Sequence, residues 1–194
     1  MRVTFTRLPD HEWGSVLIER DDGVTYRMGA GPITAAIPHD LVHFTVEDAL
    51  GLADGIWGAI AGGVVFRSMK HVSGRRPPHA AERSAALIAA YRDRLQRAEL
   101  IGGFVEAAAH RSSVGLAERA EQRFTTLPSA DRPALDAVAV AGAVAALHRA
   151  EQRWQELPFG GALVLAWPAR RRLAPVALRA GRGGVAVRRP RSAR

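Results

Sequence analysis

Apolar and polar positions alternate from the first residues. Val3, Phe5 and Arg7 alternate with Arg2, Thr4 and Thr6, and residues 15–20 and 24–28 flank Asp21-Asp22-Gly23. A period of two predicts strands, and the Asp-Gly pair predicts a hairpin turn whose glycine takes positive φ. Gly29-Ala30-Gly31-Pro32 then reads as a break.

From Pro38 the period changes. Proline suits the first turn of a helix, where its missing N–H costs nothing, and Asp40 favours the positive end of the dipole. This helix is expected to run to about Leu50. Gly51 and Gly55 punctuate it, and a short apolar helix is expected over 56–66. The polar, basic, Pro-broken stretch 67–79 reads as an exposed loop. Leu87, Tyr91, Leu95, Ala98, Ile101, Val105 and Ala108 recur at three or four within 80–111, which predicts one long helix. Gly102-Gly103 would bend it or mark close packing. A further short helix is expected over 115–124, stopped by Leu127-Pro128. Ser129 is the expected cap of a second long helix over 132–157, with Leu135, Val138, Ala141, Val144, Leu147 and Trp154 on its apolar face. Pro158 and Gly160-Gly161 end it, and 162–167 reads as a last strand.

The expected assembly is α+β. An N-terminal antiparallel sheet accepts the late C-terminal strand and is covered by two long and two or three short helices. Residues 1–167 form one domain in this reading, with Trp57, Trp154 and Trp167 as core anchors. Residues 168–194 contain nine Arg and no acid, so they are expected to be a disordered Arg-rich tail.

Composition narrows the function classes. The chain has 194 residues, 47% of them apolar, and no cysteine. That removes disulfides, thiolate metal sites and cysteine nucleophiles together. No apolar run reaches the roughly 20 residues a bilayer span needs, and the N-terminus lacks a secretion-signal core, so a cytoplasmic, non-membrane protein is expected. The net charge of +8 lies in the tail, which leaves residues 1–167 close to neutral. Such a tail can contact nucleic-acid phosphates weakly, without sequence reading and with strong salt dependence. One lysine, Lys70, beside abundant Arg, Ala and Gly points to a GC-rich genome, so coding bias also accounts for the tail.

Candidate chemistry concentrates in Pro38-His39-Asp40-Leu41-Val42-His43-Phe44-Thr45-Val46-Glu47. His39 and His43, four apart, share one face of a helix, the spacing of helical zinc-binding pairs. Glu47 extends the line by another turn. It stands roughly 12 Å from His39 along the axis, too far for the two to share one ion. The expected site for a divalent metal such as zinc is therefore His39 with His43, or His43 with Glu47, with Asp40 beside them. A further ligand would come from His71, His79, Asp54 or Glu12. The alternative is structural: Asp40 capping the helix, Glu47 solvated, and the histidines satisfied by backbone or a carboxylate. His110 and His148 read as core-edge residues. No phosphate loop and no Gly-x-Ser-x-Gly elbow occurs, and Gly29-x-Gly31 has no third glycine and no parallel crossover to make it a dinucleotide site.

His39-Asp40-x-x-His43 resembles the HExxH motif of zinc metalloproteases, with Asp40, one methylene shorter, where that motif carries its general base. The His39-Asp40 doublet is similar to that of HD-domain phosphohydrolases, an all-helical fold that the N-terminal strands do not match. The Ile37–Glu47 block, followed by Leu50-Gly51-Leu52, Gly55-Ile56-Trp57-Gly58 and Trp154-x-x-Leu157-Pro158-x-Gly160-Gly161, resembles a group of uncharacterised small proteins of high-GC bacteria. That resemblance covers about a third of the chain and implies a grouping, with no mechanism attached.

Three functions follow as expectations. The first is a non-enzymatic binding or interaction module whose apolar surface includes 51–66. The second is a divalent-metal protein, with hydrolase as its enzymatic form, using His39, His43 and either Asp40 or Glu47. The third is nucleic-acid contact through the tail.

Overall fold

The computed structural model describes residues 1–9, 13–34, 36–110, 119, 122, 124–127 and 135–176. The N-terminal alternation becomes β1 (Arg2–Arg7), β2 (Trp13–Glu19) and β3 (Thr25–Thr34), joined as antiparallel neighbours. Val3 stands opposite Ile18 and Phe5 opposite Val16, and all four are fully buried while Arg2 points outward. Gly23 turns the hairpin at φ +78°, as its position between Asp22 and Val24 requires.

β3 runs through the expected break at 29–32. Its backbone stays paired because β2 carries a register shift between Trp13 and Ser15, which sets Pro32 opposite Trp13. Its far edge takes two partners. These are the two-residue β4 (Ile37–Pro38) at its end and β5 (Lys70–Ser73) at its start. β5 lies inside the stretch read as a loop. Its residues are exposed, so no apolar alternation announces it, and it forms because β3 offers an open edge. The late strand β6 (Ala162–Ala166) pairs antiparallel with β1 as expected, so the order is β4-β3-β2-β1-β6 with β5 on β3. The architecture is α+β.

Helix α1 (His39–Leu50) starts behind Pro38 and ends at Gly51, φ +70°. Phe44 anchors it, with ring centroids 6.0 Å from Phe5, 5.1 Å from Trp57 and 5.3 Å from Trp167. Helix α2 (Ile56–Gly62) stops at Gly63, φ +113°, shorter than the expected 56–66. Its residues Trp57 to Ile60 are buried, so the centre of the 51–66 segment belongs to the core and supplies no docking surface.

The long period over 80–111 divides at Tyr91 into α3 (Ala80–Ala90) and α4 (Arg92–His110). Leu87 and Leu95 remain in one small cluster across the junction, so the apolar spacing is blind to the break. Helix α5 (Ala137–Gln155) starts later than expected, where the Asp136 carboxylate accepts the Ala139 N–H at 2.6 Å. Ser129 and most of the expected 115–124 helix lie outside the described residues. Trp57, Trp154 and Trp167 are buried, in keeping with their expected role.

Residues 168–176, assigned to the tail from sequence, pack on the body. Leu173 is buried and its N–H donates to the Gly58 carbonyl at 3.0 Å. Arg171 donates to the Asp48 carbonyl at 2.6 Å and pairs with the Asp48 carboxylate. Residues 177–194 lie outside the described residues. No described helix is long and apolar enough to cross a membrane.

Candidate metal centre

Helical spacing places His39 and His43 one turn apart on α1, with ring centroids 4.5 Å apart. His43 is buried and His39 half-buried. Helix α4 crosses this face at Gly102. A β-carbon at 102 would stand 2.6 Å from His43 Cε1 and 2.8 Å from Nδ1, so only glycine permits this approach without displacing the ring. One turn earlier on α4, Glu99 reaches His43, with Oε2 3.2 Å from Nε2.

One donor atom each from His39, His43 and Glu99 then falls within 4.8 Å of the others. A tetrahedral ion held at ~2.1 Å keeps its donors roughly 3.4 Å apart. The His43–Glu99 pair, at 3.2 Å, already has about that spacing. Two imidazoles and one carboxylate suit zinc, manganese, cobalt or ferrous iron, and leave further coordination positions open.

Glu47 plays a different part from the one expected. It is buried and its carboxylate accepts the N–H groups of Ile56 at 2.9 Å and Trp57 at 3.0 Å. It thus satisfies donors at the start of α2, which has no side-chain cap of its own. A β-carbon on Gly55 would overlap that carboxylate. Burial pushes the Glu47 carboxyl up to about 7, against the pull of His43 and the two N–H groups. The carboxylate also faces the rear of the site, with Oε1 3.9 Å from His43 Nδ1. That nitrogen is buried with no hydrogen-bond partner among the described residues. At that distance Glu47 does not hydrogen-bond the imidazole, and it acts on His43 through its charge.

Asp40 stays beside the histidines but outside the triad. Its carboxyl is raised by burial, opposed by His39 and His43, while its backbone carbonyl accepts Trp57 Nε1 at 3.2 Å. Burial depresses His43, but the hydrogen bond and charge of Glu99, then the charges of Glu47 and Asp40, outweigh it and raise the imidazole overall. Glu99 is lowered, first by the His43 hydrogen bond. Without metal, the pair therefore favours imidazolium and carboxylate.

The other proposed ligands are elsewhere. His71 contacts the Gly74 carbonyl at 2.8 Å, and Asp54 is held by Arg97 at 2.7 Å and Arg94 at 3.5 Å. His79 stands at the N-cap position of α3 in a left-handed conformation, without a side-chain cap bond, and Glu12 lies outside the described residues. His110 pairs with Glu151 at 2.8 Å and His148 contacts the Ala109 carbonyl at 3.2 Å, and both residues are exposed on the helix surface rather than at the core edge. Glu99 was missed because its partnership depends on how α4 crosses α1. The available signal was Gly102-Gly103, three residues on, already marked as a point of close packing. Comparison with protein-family models, curated proteins and solved structures finds no match.

Proposed function

We propose that this chain binds one divalent transition-metal ion through His39, His43 and Glu99, with the Glu47 carboxyl buried behind His43. The observation that carries this reading is the convergence of three donor atoms within 4.8 Å, from two helices that glycine lets approach closely.

A bound ion would supply Lewis acidity and a water of lowered pKa, so hydrolysis is the reaction class this donor set fits. In that chemistry His39 and His43 act as neutral ligands, and Asp40 is a nearby carboxyl. The lack of cysteine fits the cytoplasmic setting we propose for it. We extend the reading to the high-GC bacterial proteins that the Ile37–Glu47 block resembles, because both imidazoles lie inside that block.

The test is metal content by mass spectrometry on untagged protein, beside a His39→Ala/His43→Ala variant shown to fold by circular dichroism. One ion per chain in the wild type and none in the variant is expected. Equal content in both, or none in the wild type after incubation with divalent ions, overturns the reading.

A further inference from the structure

The segment from Arg67 to Arg83 carries five bases, Arg67, Lys70, Arg75, Arg76 and Arg83, against one acid, Glu82. All five are exposed. Residues 1–167 are close to neutral overall, so this is a local concentration of charge. The β3–β5 pairing adds to it. Lys70 stands directly opposite the exposed Arg27, so two cations share one face of the sheet. Like charges directly opposite each other destabilise a strand pair. Nothing offsets them here: Glu19, on the neighbouring strand, is engaged by Arg2 through both oxygens.

The side chains of Arg27, Lys70, Arg75 and Arg76 form no ion pair among the described residues, whereas Arg94, Arg97 and Arg171 are held by Asp54 and Asp48. The cationic surface continues onto α3. Arg76 lines a recess of about 290 Å³ between Tyr26 of β3 and Ser84 of α3. Arg83 lines a second, of about 220 Å³, beside the Arg20–Asp22 pair. Helix α3 starts between them with no side-chain cap, so the positive end of its dipole adds to the field.

Such a surface selects a polyanion. Within 67–83 the one exposed large apolar residue is Val72, and no Phe, Tyr or Trp occurs. Nothing there inserts among lipid chains or stacks on unpaired bases. We infer that this face binds the phosphate backbone of duplex DNA, without sequence reading, through Arg27, Lys70, Arg75 and Arg76. A duplex offers one charge per roughly 1.7 Å of axis, whereas single strands are held largely by stacking. Duplex RNA also presents 2′-hydroxyl donors, for which guanidinium and ammonium groups have no acceptor. The surface is separate from the Arg-rich tail and independent of the metal reading.

Fluorescence anisotropy of a labelled DNA duplex of about 20 base pairs, with the full chain in EDTA, tests it between about 50 and 200 mM salt. Log affinity is expected to fall against log salt with a slope of at least about 3 in magnitude. Lys70→Gln/Arg75→Gln/Arg76→Gln, checked for folding by circular dichroism, should bind at least about tenfold more weakly, with the slope reduced by about 2 to 3. Removing three tail arginines instead, by Arg188→Gln/Arg189→Gln/Arg191→Gln, should change both less. No binding of the duplex, or a loss confined to the tail variant, overturns the proposal. So does equal or tighter binding of single-stranded DNA, of duplex RNA, or of vesicles of phosphatidylglycerol and phosphatidylcholine.

Discussion

Gly102 lies against the imidazole of His43 so closely that a β-carbon on it would stand 2.6 Å from Cε1. The relationship ties a backbone feature of α4 to the chemistry of α1. Replacing Gly102 by Ala forces the ring to turn or the helices to part. Overpacking of this kind costs about 1–3 kcal/mol, and the better helix propensity of alanine returns at most about 1 kcal/mol. We expect Gly102→Ala to lose about 1 kcal/mol in urea unfolding and to bind zinc more weakly. Unchanged zinc affinity would mean that the close approach serves packing alone.

The metal-free protein should lose stability as pH rises between about 4.5 and 7. The folded Glu47 carboxyl sits at about 7 against an ordinary 4.5, so within that window the folded chain holds a proton that the unfolded chain has released. Stability from such a group is full below the unfolded value and is lost as pH climbs through the folded one. The full shift corresponds to something on the order of 3 kcal/mol. His43, also raised, adds loss in the same direction above its ordinary value, while the lowered Glu99 acts oppositely, at acid pH. Glu47→Gln, though less stable through a weakened α2 cap, should show a flatter slope in EDTA across this window. An unchanged slope would show that Glu47 is not its source.

Much of the fold was legible in the sequence. Alternation in β1 and β2, the Asp-Gly hairpin, Pro38 before α1 and the glycines before β6 are all local signals, and local signals survive without tertiary information. What could not be read depends on partners far along the chain. β5 exists because β3 has a free edge, and the α3–α4 junction at Tyr91 leaves the apolar spacing intact. The same division holds at the site. His39 and His43 are neighbours by helical geometry alone, whereas Glu99 joins them only through the crossing of α4. Glu47 looked like a ligand because it continues the helical line, and the donors it caps at Ile56 and Trp57 lie across a turn that spacing does not show.

Leu173 gives a test of how far the packed body extends. It is buried in a cluster with Ala59, Val64, Leu87 and Leu95, beyond the point where composition turns basic. Large-to-small changes at buried leucines cost about 2–5 kcal/mol. We expect Leu173→Ala to fall near the lower end of that range, because the cluster is small, and to lower the melting temperature by several degrees. A melting temperature equal to wild type would mean that residues 168–176 add nothing to the fold.

The most direct measurement is cobalt(II) titration of untagged protein, followed by visible absorption, for wild type and Glu99→Gln. Glu99 is half-exposed, so this substitution should leave folding intact. Losing a direct ligand should weaken binding by more than the roughly 10–100-fold that an outer carboxylate is worth. The account predicts one cobalt per wild-type chain and affinity reduced beyond that range in Glu99→Gln. Equal affinity in the two proteins, or no stoichiometric cobalt in either, would contradict it.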